Sequence, residues 1–337
     1  MVTICDVAKA AGVSKAAVSY AMSGSDKVSE KTREKILEVA AQLNYIPNKN
    51  AQILRKGKSR RAGLFVTYFS GSYFMYFTES ASKACLMDGY GLDVHIVKCR
   101  TAQDMISEIL YSDVDIAIVL YRFAADDEKY LTDTLSQRGK SIVFLSSTNH
   151  YDHASSVVIN NTASFAEMAD YLYETGHRKI VYLGGFQNTD EKERYEGLKL
   201  GLERHNLEIF DIWDYSDTDP NEWVGFQITN SHCNKLTVLP DAICCANDPL
   251  AIGCIKALKA FGYNVPRDIS ITGFDNLIPA KLCSYKLTTM NSPVSELGKL
   301  AVEEAIRLLN PDEKGKTVMV DSCISKGETV AIRANAR

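Results

Sequence analysis

The sequence predicts a small all-α head of three helices followed by a larger α/β body with parallel sheets. The pattern of apolar residues indicates this division. Up to about residue 45 they recur at helical spacing, whereas from Ala62 onward short apolar runs alternate with helical patterns. The length of 337 residues exceeds that of one ordinary domain and allows two such α/β units. With 46% hydrophobic and 24% charged residues, the composition is that of a soluble globular protein.

Charge is distributed unevenly between these two parts. Residues 1–61 contain twelve Lys and Arg and five Asp and Glu, a formal net charge of +7, whereas the remainder carries −11. A basic head on an acidic body is typical of a protein in which one domain binds a polyanion. We therefore expect the head, and not the body, to bind nucleic acid.

The first helix is predicted to begin after Thr3 and to end at Gly12. Thr3 is a suitable N-cap residue, and Asp6 gives a variant of the capping box with its acidic group near the positive end of the helix. Gly12 can adopt the left-handed conformation that ends helices. The apolar face of this helix consists of Val7, Ala8 and Ala11.

The second helix is predicted over Lys15 to Met22, with Ser14 as its N-cap. Two short helices joined by a tight turn form the helix-turn-helix unit, whose second helix enters the major groove of DNA with its N-terminal end. Lys15 and Tyr20 are therefore candidates for base or phosphate contacts, and the alternative is a helical hairpin that contacts protein. The candidate DNA-contacting residues of the head are Thr3, Ser14, Lys15, Ala16, Ser19 and Tyr20.

A third helix is predicted to begin at Ser29 and to close a three-helix bundle at Asn44. The basic segment after it, residues 47–61, is too short to be a domain and marginal as an isolated helix. We expect it to fold only when DNA and a second copy of the chain support it.

The body contains eight apolar runs that read as strands. Their alternation with helical patterns predicts parallel sheets covered by helices on both faces, that is, doubly wound sheets. The predicted strands cover residues 62–69, 92–98, 114–121, 141–147, 155–160, 179–185, 241–247 and 268–274.

Polar and aromatic residues follow several of these strands, where parallel sheets bind ligands. Asn247 and Asp275 each close an apolar strand, and each could either bind a ligand or cap the segment that follows. Tyr73 and Phe74 belong to an aromatic cluster after the first strand, which is either core or a stacking wall for a sugar or base.

The sequence lacks the patterns of the common enzyme classes. It has no glycine-rich phosphate loop, no GxSxG, no HExxH and no close Cys–His pair, so we do not expect an enzyme. The nine cysteines form no CxxC, so we expect reduced core residues and neither metal nor cofactor. No run approaches 18 apolar residues and no leader pattern opens the chain, so we expect a cytoplasmic protein without membrane contact.

Residues 3–48, TICDVAKAAGVSKAAVSYAMSGSDKVSEKTREKILEVAAQLNYIPN, resemble the head of the LacI (lactose-repressor) family of bacterial transcription regulators almost position for position. The resemblance covers essentially the whole chain. It continues in NAQILRKGKSRRAGLFV, GHRKIVYLGG, RYEGLKLGL, ANDPLAIGCIKALKAFGYNVPRDISITGFDN and LTTMNSPVSELGKLAVEEAIRLL.

The resemblance implies that residues 47–61 form a hinge helix, paired across a dimer in the minor groove, with Leu54 wedged between base pairs. Asn50 and Ala51 belong to the same expected DNA contact. Gln52 stands where many relatives carry an arginine. The alternative is that Leu54 packs only against its own core.

For the body, the resemblance implies two doubly wound parallel-sheet subdomains of the periplasmic-binding-protein-like type I, joined by three crossovers near Asn160, Thr289 and Ser322. We predict a helix-turn-helix domain over 1–46, a hinge over 47–61 and an effector-binding and dimerisation domain over 62–337. Its first subdomain would combine residues 62–160 with 291–320, and its second would combine 161–290 with 321–337.

The resemblance also implies an effector site in the cleft between the subdomains. Arg194 matches the family's ligand-holding arginine, whose guanidinium can bind two hydroxyls or a carboxylate. Trp223 lies three residues from the position where relatives carry an aromatic residue. The candidate effector-binding residues are Tyr73, Phe74, Asn188, Asp190, Arg194, Trp223, Asn247 and Asp275.

Together these observations predict a homodimeric transcription regulator, a repressor rather than an activator, that binds a near-palindromic double-stranded DNA operator. The mix of donors, acceptors and a carboxylate suits a polyhydroxylated effector, so a sugar or sugar phosphate is expected in the cleft. The alternative is control by a partner protein, such as a phosphorylated carrier protein, in place of a sugar.

Overall fold

The computed structural model describes residues 2–45, 59–67, 69, 71–187, 189–215, 220–283 and 285–333. The chain divides into two compact units, one ending at Ser59 and the other beginning at Arg60. The predicted DNA contacts of Asn50, Ala51 and Leu54 and the predicted ligand contact of Asn188 fall outside the described residues.

The head consists of the three predicted helices, and their caps confirm the predicted starts. The backbone N–H of Thr3 donates to Oδ2 of Asp6 at 2.8 Å, and Oγ of Ser14 accepts from the backbone N–H of Ala17 at 3.1 Å. Gly12 has φ of 67°, the left-handed conformation that ends a helix. The helices are α1 (Ile4–Ala11), α2 (Lys15–Met22) and α3 (Glu30–Gln42).

A small apolar core fixes these helices against one another. Val7, Val18 and Ile36, one from each helix, have no exposed surface. Burying an aliphatic side chain of this kind contributes roughly 1.5–3 kcal/mol. Ala8 and Ala11, both buried, are small enough to let α1 approach its neighbours closely. The core therefore holds α2 by one face and leaves the opposite face of that helix at the surface.

The body contains two six-stranded sheets. The first has the strand order β11-β5-β4-β3-β1-β2 and is entirely parallel. The second has the order β12-β10-β9-β8-β6-β7, in which β12 runs antiparallel to β10. The strands are β1 (Arg61–Val66), β2 (Gly91–Ile96), β3 (Ile116–Leu120), β4 (Ser141–Phe144), β5 (Ala154–Ile159), β6 (Ile180–Leu183), β7 (Asp211–Trp213), β8 (Ala242–Cys245), β9 (Ser270–Phe274), β10 (Thr288–Asn291), β11 (Thr317–Val320) and β12 (Cys323–Ser325).

Helices cover both faces of these sheets. Along β1, the neighbouring residues Leu64 and Phe65 belong to two different apolar clusters, and both are buried, as expected for side chains that alternate between two covered faces. The helices of the body are α4 (Gly71–Met87), α5 (Ala102–Tyr111), α6 (Ala125–Gln137), α7 (Asn161–Glu174), α8 (Thr189–Glu203), α9 (Glu222–Cys233), α10 (Asp248–Ala260), α11 (Ile278–Leu282) and α12 (Val294–Arg307).

The chain passes between the two sheets three times, after β5, after β10 and between β11 and β12. After β10 it continues into α12, which packs tightly on α4. A Cβ atom added to Gly298 of α12 would lie only 2.6 Å from the carbonyl oxygen of Phe77. The last two crossings therefore return the chain to the first sheet and then to the second.

All eight predicted strands are confirmed, with bounds that differ by a few residues from the predicted ones. Four further strands, β7, β10, β11 and β12, were not predicted from the sequence. They are three or four residues long, and β10 consists of Thr288, Thr289, Met290 and Asn291, which form no apolar run. Within the described ranges, no helix has both the length and the apolar character needed to span a membrane.

Candidate functional site

A cavity of about 790 Å³ lies between the carboxyl ends of the two sheets. On the first sheet's side it is lined by residues after β1, β3 and β4 and by the first turn of α4. On the second sheet's side the lining comes from the residues around the first turns of α8 and α9 and from the loops after β8 and β9. We call this cavity the cleft. Of the predicted site residues, its lining includes Tyr73, Phe74, Asp190, Arg194, Asn247 and Asp275.

Arg194, from the second turn of α8, is 6% exposed and held from three sides. Its Nε donates to Oδ1 of Asn161 at 2.9 Å, and its Nη1 donates to the carbonyl oxygen of Ala246 at 2.8 Å. The guanidinium carbon lies 3.9 Å from the centre of the Phe274 ring, a cation–π contact. Burial opposes the charge of Arg194, but the carboxylates nearby, Asp275 foremost, raise its pKa. The cleft therefore contains a permanent, rigidly oriented cation.

Asp275 follows β9 and is 9% exposed. Its backbone has φ of 105°, outside the region that residues other than glycine usually adopt. Within the described part of the chain, its Oδ1 atom is buried and has no hydrogen-bond partner. Burial raises the pKa of Asp275 to about 7, an effect that Arg194 opposes and Asp190 increases. A buried acceptor that lines a cavity and lacks a donor is suited to a hydroxyl or ammonium group of a ligand.

Asn161, the first residue of α7, organises this polar group without lining the cleft. Its Oδ1 accepts from Arg194, and its Nδ2 donates to Asp190 at 3.3 Å and to Glu193 at 3.1 Å. Burial raises the pKa of Asp190 and of Glu193. Asn161 was not singled out from the sequence, although it directly follows an apolar strand run, as the end of such a run selected Asn247.

Asn247 both caps a helix and lines the cleft. Its Oδ1 accepts from the backbone N–H of Leu250 at 2.9 Å at the start of α10. The next residue, Asp248, is fully buried, was missed in the sequence and accepts from Thr289 Oγ1 at 2.6 Å and from the backbone N–H of Leu277 at 2.9 Å. Burial raises the pKa of Asp248 well above its ordinary value.

Aromatic side chains form part of the opposite wall. Tyr73 and Phe74, in the first turn of α4, meet edge to face with ring centres 5.5 Å apart, and Phe74 also packs on the apolar core. Phe74 therefore belongs to the core and also borders the cleft. Tyr121 and Tyr215 also line the cleft and were not singled out from the sequence.

Trp223 is absent from the described lining of the cleft, which corrects the predicted placement of this side chain. Helix α9 begins at Glu222, so the cleft is lined by Pro220, Asn221 and Glu222 instead. Trp223 lies one residue further along, is 64% exposed and stacks on Phe226, with 5.5 Å between ring centres.

On the head, the predicted DNA-contacting residues share an accessible surface at the start of α2. Thr3, Ser14, Lys15 and Ala16 are exposed, and Ser19 and Tyr20 are partly exposed. The Nζ atom of Lys27 lies 5.2 Å from the centre of the Tyr20 ring, which adds a second positive charge beside Tyr20. Two exposed cations, Lys15 at the start of α2 and Lys27 beside Tyr20, therefore lie next to predicted DNA-contacting residues.

Comparison with protein families gives two matches. The family described as bacterial regulatory proteins, lacI family, matches residues 3–48, and the family described as periplasmic binding protein-like domain matches residues 169–330. Among the described residues, no three or more His, Cys, Asp or Glu side chains are grouped so that they could hold a metal ion.

Relatives match over nearly the whole chain. The chain is 31% identical to the HTH-type transcriptional repressor PurR of Actinobacillus pleuropneumoniae serotype 3, with 93% of each chain covered. It is 27% identical to the ribose operon repressor of Haemophilus influenzae, covering 99% of this chain and 100% of the relative. Among solved structures, a lac repressor dimer bound to operator and the anti-inducer ONPF matches with a TM-score of 0.86 and 25% identity, covering 98% of this chain and 99% of that one. The two relatives are repressors and not enzymes.

Proposed function

Because this chain belongs to the LacI family of bacterial regulatory proteins and is a transcriptional repressor, we propose that it acts as a homodimer whose affinity for a near-palindromic operator is controlled by a carbohydrate in the cleft. The observation that carries the choice of effector is the unpartnered Oδ1 of Asp275 beside the fixed guanidinium of Arg194. Together they offer an acceptor and donors to neighbouring hydroxyl groups. The aromatic wall of Tyr73 and Phe74 supports the same class of ligand, because sugar rings have apolar faces.

We assign DNA binding to residues 1–46 and the hinge to residues 47–61. In each subunit, α2 would enter the major groove and Lys15 and Tyr20 would reach base edges or phosphates. The hinge pair would enter the central minor groove, with Leu54 as the wedge that kinks the DNA. Such a protein acts where the chromosome is, so we infer a cytoplasmic location.

Exposed apolar side chains support the homodimer. Leu86 and Met87 at the end of α4 are 69% and 88% exposed, Tyr111 at the end of α5 is 87% exposed, and Leu282 at the end of α11 is 79% exposed. Leu86 and Met87 are neighbours in the chain, and adjacent exposed apolar side chains are typical of surfaces that a protein partner covers. We assign these surfaces to a second copy of the chain, which also supplies the second α2 and the second hinge.

Control of DNA binding requires that the effector bind two states of the body with different affinity. We propose that these states differ in the closure of the cleft. The crossings between the sheets are the pivots of this motion, and two of them are joined where Asn160 Nδ2 donates to Asp321 Oδ1 at 3.0 Å. Closure would change the spacing of the paired hinges and so the fit to the operator.

The test combines operator selection with an effector screen on the full chain. Selected DNA should be near-palindromic, and one or more sugars should raise the melting temperature of the protein and change its operator affinity. Asp275→Ala should remove both responses and leave operator affinity without sugar unchanged. A sugar panel without any response, or a response that survives in Asp275→Ala, would contradict the proposed effector site.

A second arm tests the hinge. Leu54→Ala should weaken binding to the operator far more than binding to non-specific DNA, because only the kinked operator complex uses the wedge. Equal losses on both kinds of DNA would contradict the proposed role of Leu54.

A further inference from the structure

The charges of the cleft restrict its ligand to a narrower class than carbohydrates in general. Five carboxylates line it, against two guanidinium groups, a formal surplus of three negative charges. Neither lysine nor histidine occurs among the lining residues that the structure describes. The carboxylates are those of Asp190, Glu191, Glu222, Asp248 and Asp275, and the guanidinium groups are those of Arg122 and Arg194.

The negative surplus persists when burial is taken into account. The two carboxyl groups whose pKa burial raises most are Asp248, well above its ordinary value, and Asp275, to about 7. If both are protonated, three carboxylates still face two guanidinium groups. With Asp190, Glu191 and Glu222 ionised, the cleft is therefore negative whether or not Asp248 and Asp275 are protonated.

Arg194 contributes little free positive charge. Its Nε is occupied by Asn161 and its Nη1 donates to the carbonyl of Ala246, so the lateral edge of the guanidinium is not free for a two-pronged contact with an anion. Asp275 and Asp190 are the carboxylates that most favour its charged form, so its charge is already balanced within the protein. Its remaining N–H groups can donate to neutral acceptors such as hydroxyl oxygens.

Asp275 disfavours an anionic group of a ligand beside it. A phosphate or carboxylate oxygen placed against the unpartnered Oδ1 of ionised Asp275 would bring two acceptors together in a buried site, which is strongly unfavourable. A hydroxyl or an ammonium group would satisfy Oδ1.

Resting on the carbohydrate effector proposed above, we infer that the cleft accepts neutral or amine-bearing polyhydroxylated ligands and excludes their phosphorylated and carboxylated counterparts. Among the described lining side chains, Arg122, which follows β3 and is exposed, is a cation that could favour an anion. The charge of Arg122 is partly balanced within the protein, because Arg122 favours the ionised form of Glu193. We therefore assign no phosphate subsite to Arg122.

The experiment is a titration of the full chain by calorimetry with matched sets of ligands. Each set contains one hexose, its 2-amino derivative, its 6-phosphate and its uronate, and the sets cover glucose, galactose and mannose, with ribose and ribose 5-phosphate as a pentose pair. The expected result is that binding is confined to neutral or amino members, with the matched anion at least about 100-fold weaker. An anionic member that binds as tightly as its neutral counterpart would overturn the inference while leaving the carbohydrate proposal intact. If no member of any set binds, both the inference and the carbohydrate proposal are overturned.

Variants that remove negative charge test whether the charge of the cleft is what excludes anionic ligands. Asp190→Asn with Glu222→Gln should strengthen binding of the anionic counterpart by at least about fivefold, because two negative charges leave the cleft. Glu196→Gln is the matched control, since Glu196 is exposed on the same helix as Asp190 and does not line the cleft. If the anionic counterpart binds no more tightly to this double variant than to Glu196→Gln, the negative charge of the cleft does not exclude anions and the inference is overturned.

Discussion

The Nε atom of Arg194 donates a 2.9 Å hydrogen bond to Oδ1 of Asn161. This bond connects Arg194, which lines the cleft, to the helix that begins where the chain first leaves the first sheet. Asn161 is 2% exposed and begins α7 directly after that crossing. Its amide group has two sides, and both are used, one by Arg194 and the other by Asp190 and Glu193. The orientation of the ligand-facing groups therefore depends on a residue that the ligand does not touch.

We expect Asn161→Ala to weaken effector binding by at least about tenfold, because Arg194 and Asp190 lose the group that orients them. The free energy of unfolding should fall by about 2 kcal/mol, since buried polar groups lose their partner. Calorimetric titration and urea unfolding measure the two effects. Asn230→Ala, at an exposed position of α9, is the matched control. Unchanged effector affinity in Asn161→Ala would show that Arg194 is held well enough by Ala246 and Phe274 alone.

Effector binding should depend on pH through Asp275. The ligand's hydroxyl would donate to the ionised carboxylate, and burial raises the pKa of this group to about 7, with Arg194 opposing the shift and Asp190 adding to it. Asp248, also close to Asp275, is itself protonated more readily because of it. Binding should therefore weaken as pH falls below about 7, by up to about tenfold per pH unit. Dissociation constants between pH 5.5 and 8.5 test this, and Asp275→Asn should bind more weakly with a flat profile. A flat profile in the unmodified protein would contradict the expected contact.

Acid stability should depend on the fully buried His177. Its Nε2 lies 2.7 Å from Oγ of Ser270, and burial lowers the pKa of the imidazole to about 4. Between pH 6.5 and 4 the unfolded chain binds a proton that the folded chain does not, so the free energy of unfolding should fall with pH in this range, by roughly 3 kcal/mol. Urea unfolding at several pH values should show a smaller decrease for His177→Gln than for the control His150→Gln, at an exposed position. Equal decreases would assign the acid sensitivity to other groups.

The sequence predicted the parts of the fold that have a strong local signal. Strands buried on both faces, such as β3 and β8, are uninterrupted apolar runs, and the helices of the head have caps that can be recognised. Strand β10 was not predicted because its threonines are buried and their hydroxyl groups form hydrogen bonds, as when Thr289 donates to Asp248. Such a residue looks like a loop residue until its partner is known.

The candidate site could be predicted where one residue at a strand end faces the cleft, as with Asn247 and Asp275. Asn161 and Asp248 were missed because their importance lies in contacts with distant segments, which no spacing in the sequence reveals. Trp223 was misplaced for a related reason. Whether a residue in the first turn of a helix faces a cavity depends on the residue at which the helix begins, and α9 begins at Glu222.

Tyr20 is the residue of α2 whose replacement should alter the choice of operator. It lies one turn after Ala16 on the exposed side of the helix, with Lys27 beside its ring. We expect Tyr20→Ala to relax base preference at one or two positions of each half-site, at a cost of about 1–3 kcal/mol on the preferred sequence. Selection from a randomised operator library compares the variant with the unmodified chain. If the selected sequences are the same, Tyr20 contacts phosphate or packs within the head and does not read bases.

Gly12 should control how firmly α1 and α2 are held for DNA binding. Its φ of 67° is unfavourable for alanine, yet a Cβ atom at this position would meet no atom within 4 Å, so the cost of a substitution comes from the backbone alone. We expect Gly12→Ala to destabilise the head by about 1 kcal/mol and Gly12→Asn by less, because asparagine tolerates this conformation. Hydrogen exchange of the full chain, read by mass spectrometry, should be about fivefold faster in α1 and α2 of Gly12→Ala, with peptides of the body as the internal control. Equal exchange in the alanine and asparagine variants would show that the loss does not come from the left-handed backbone conformation.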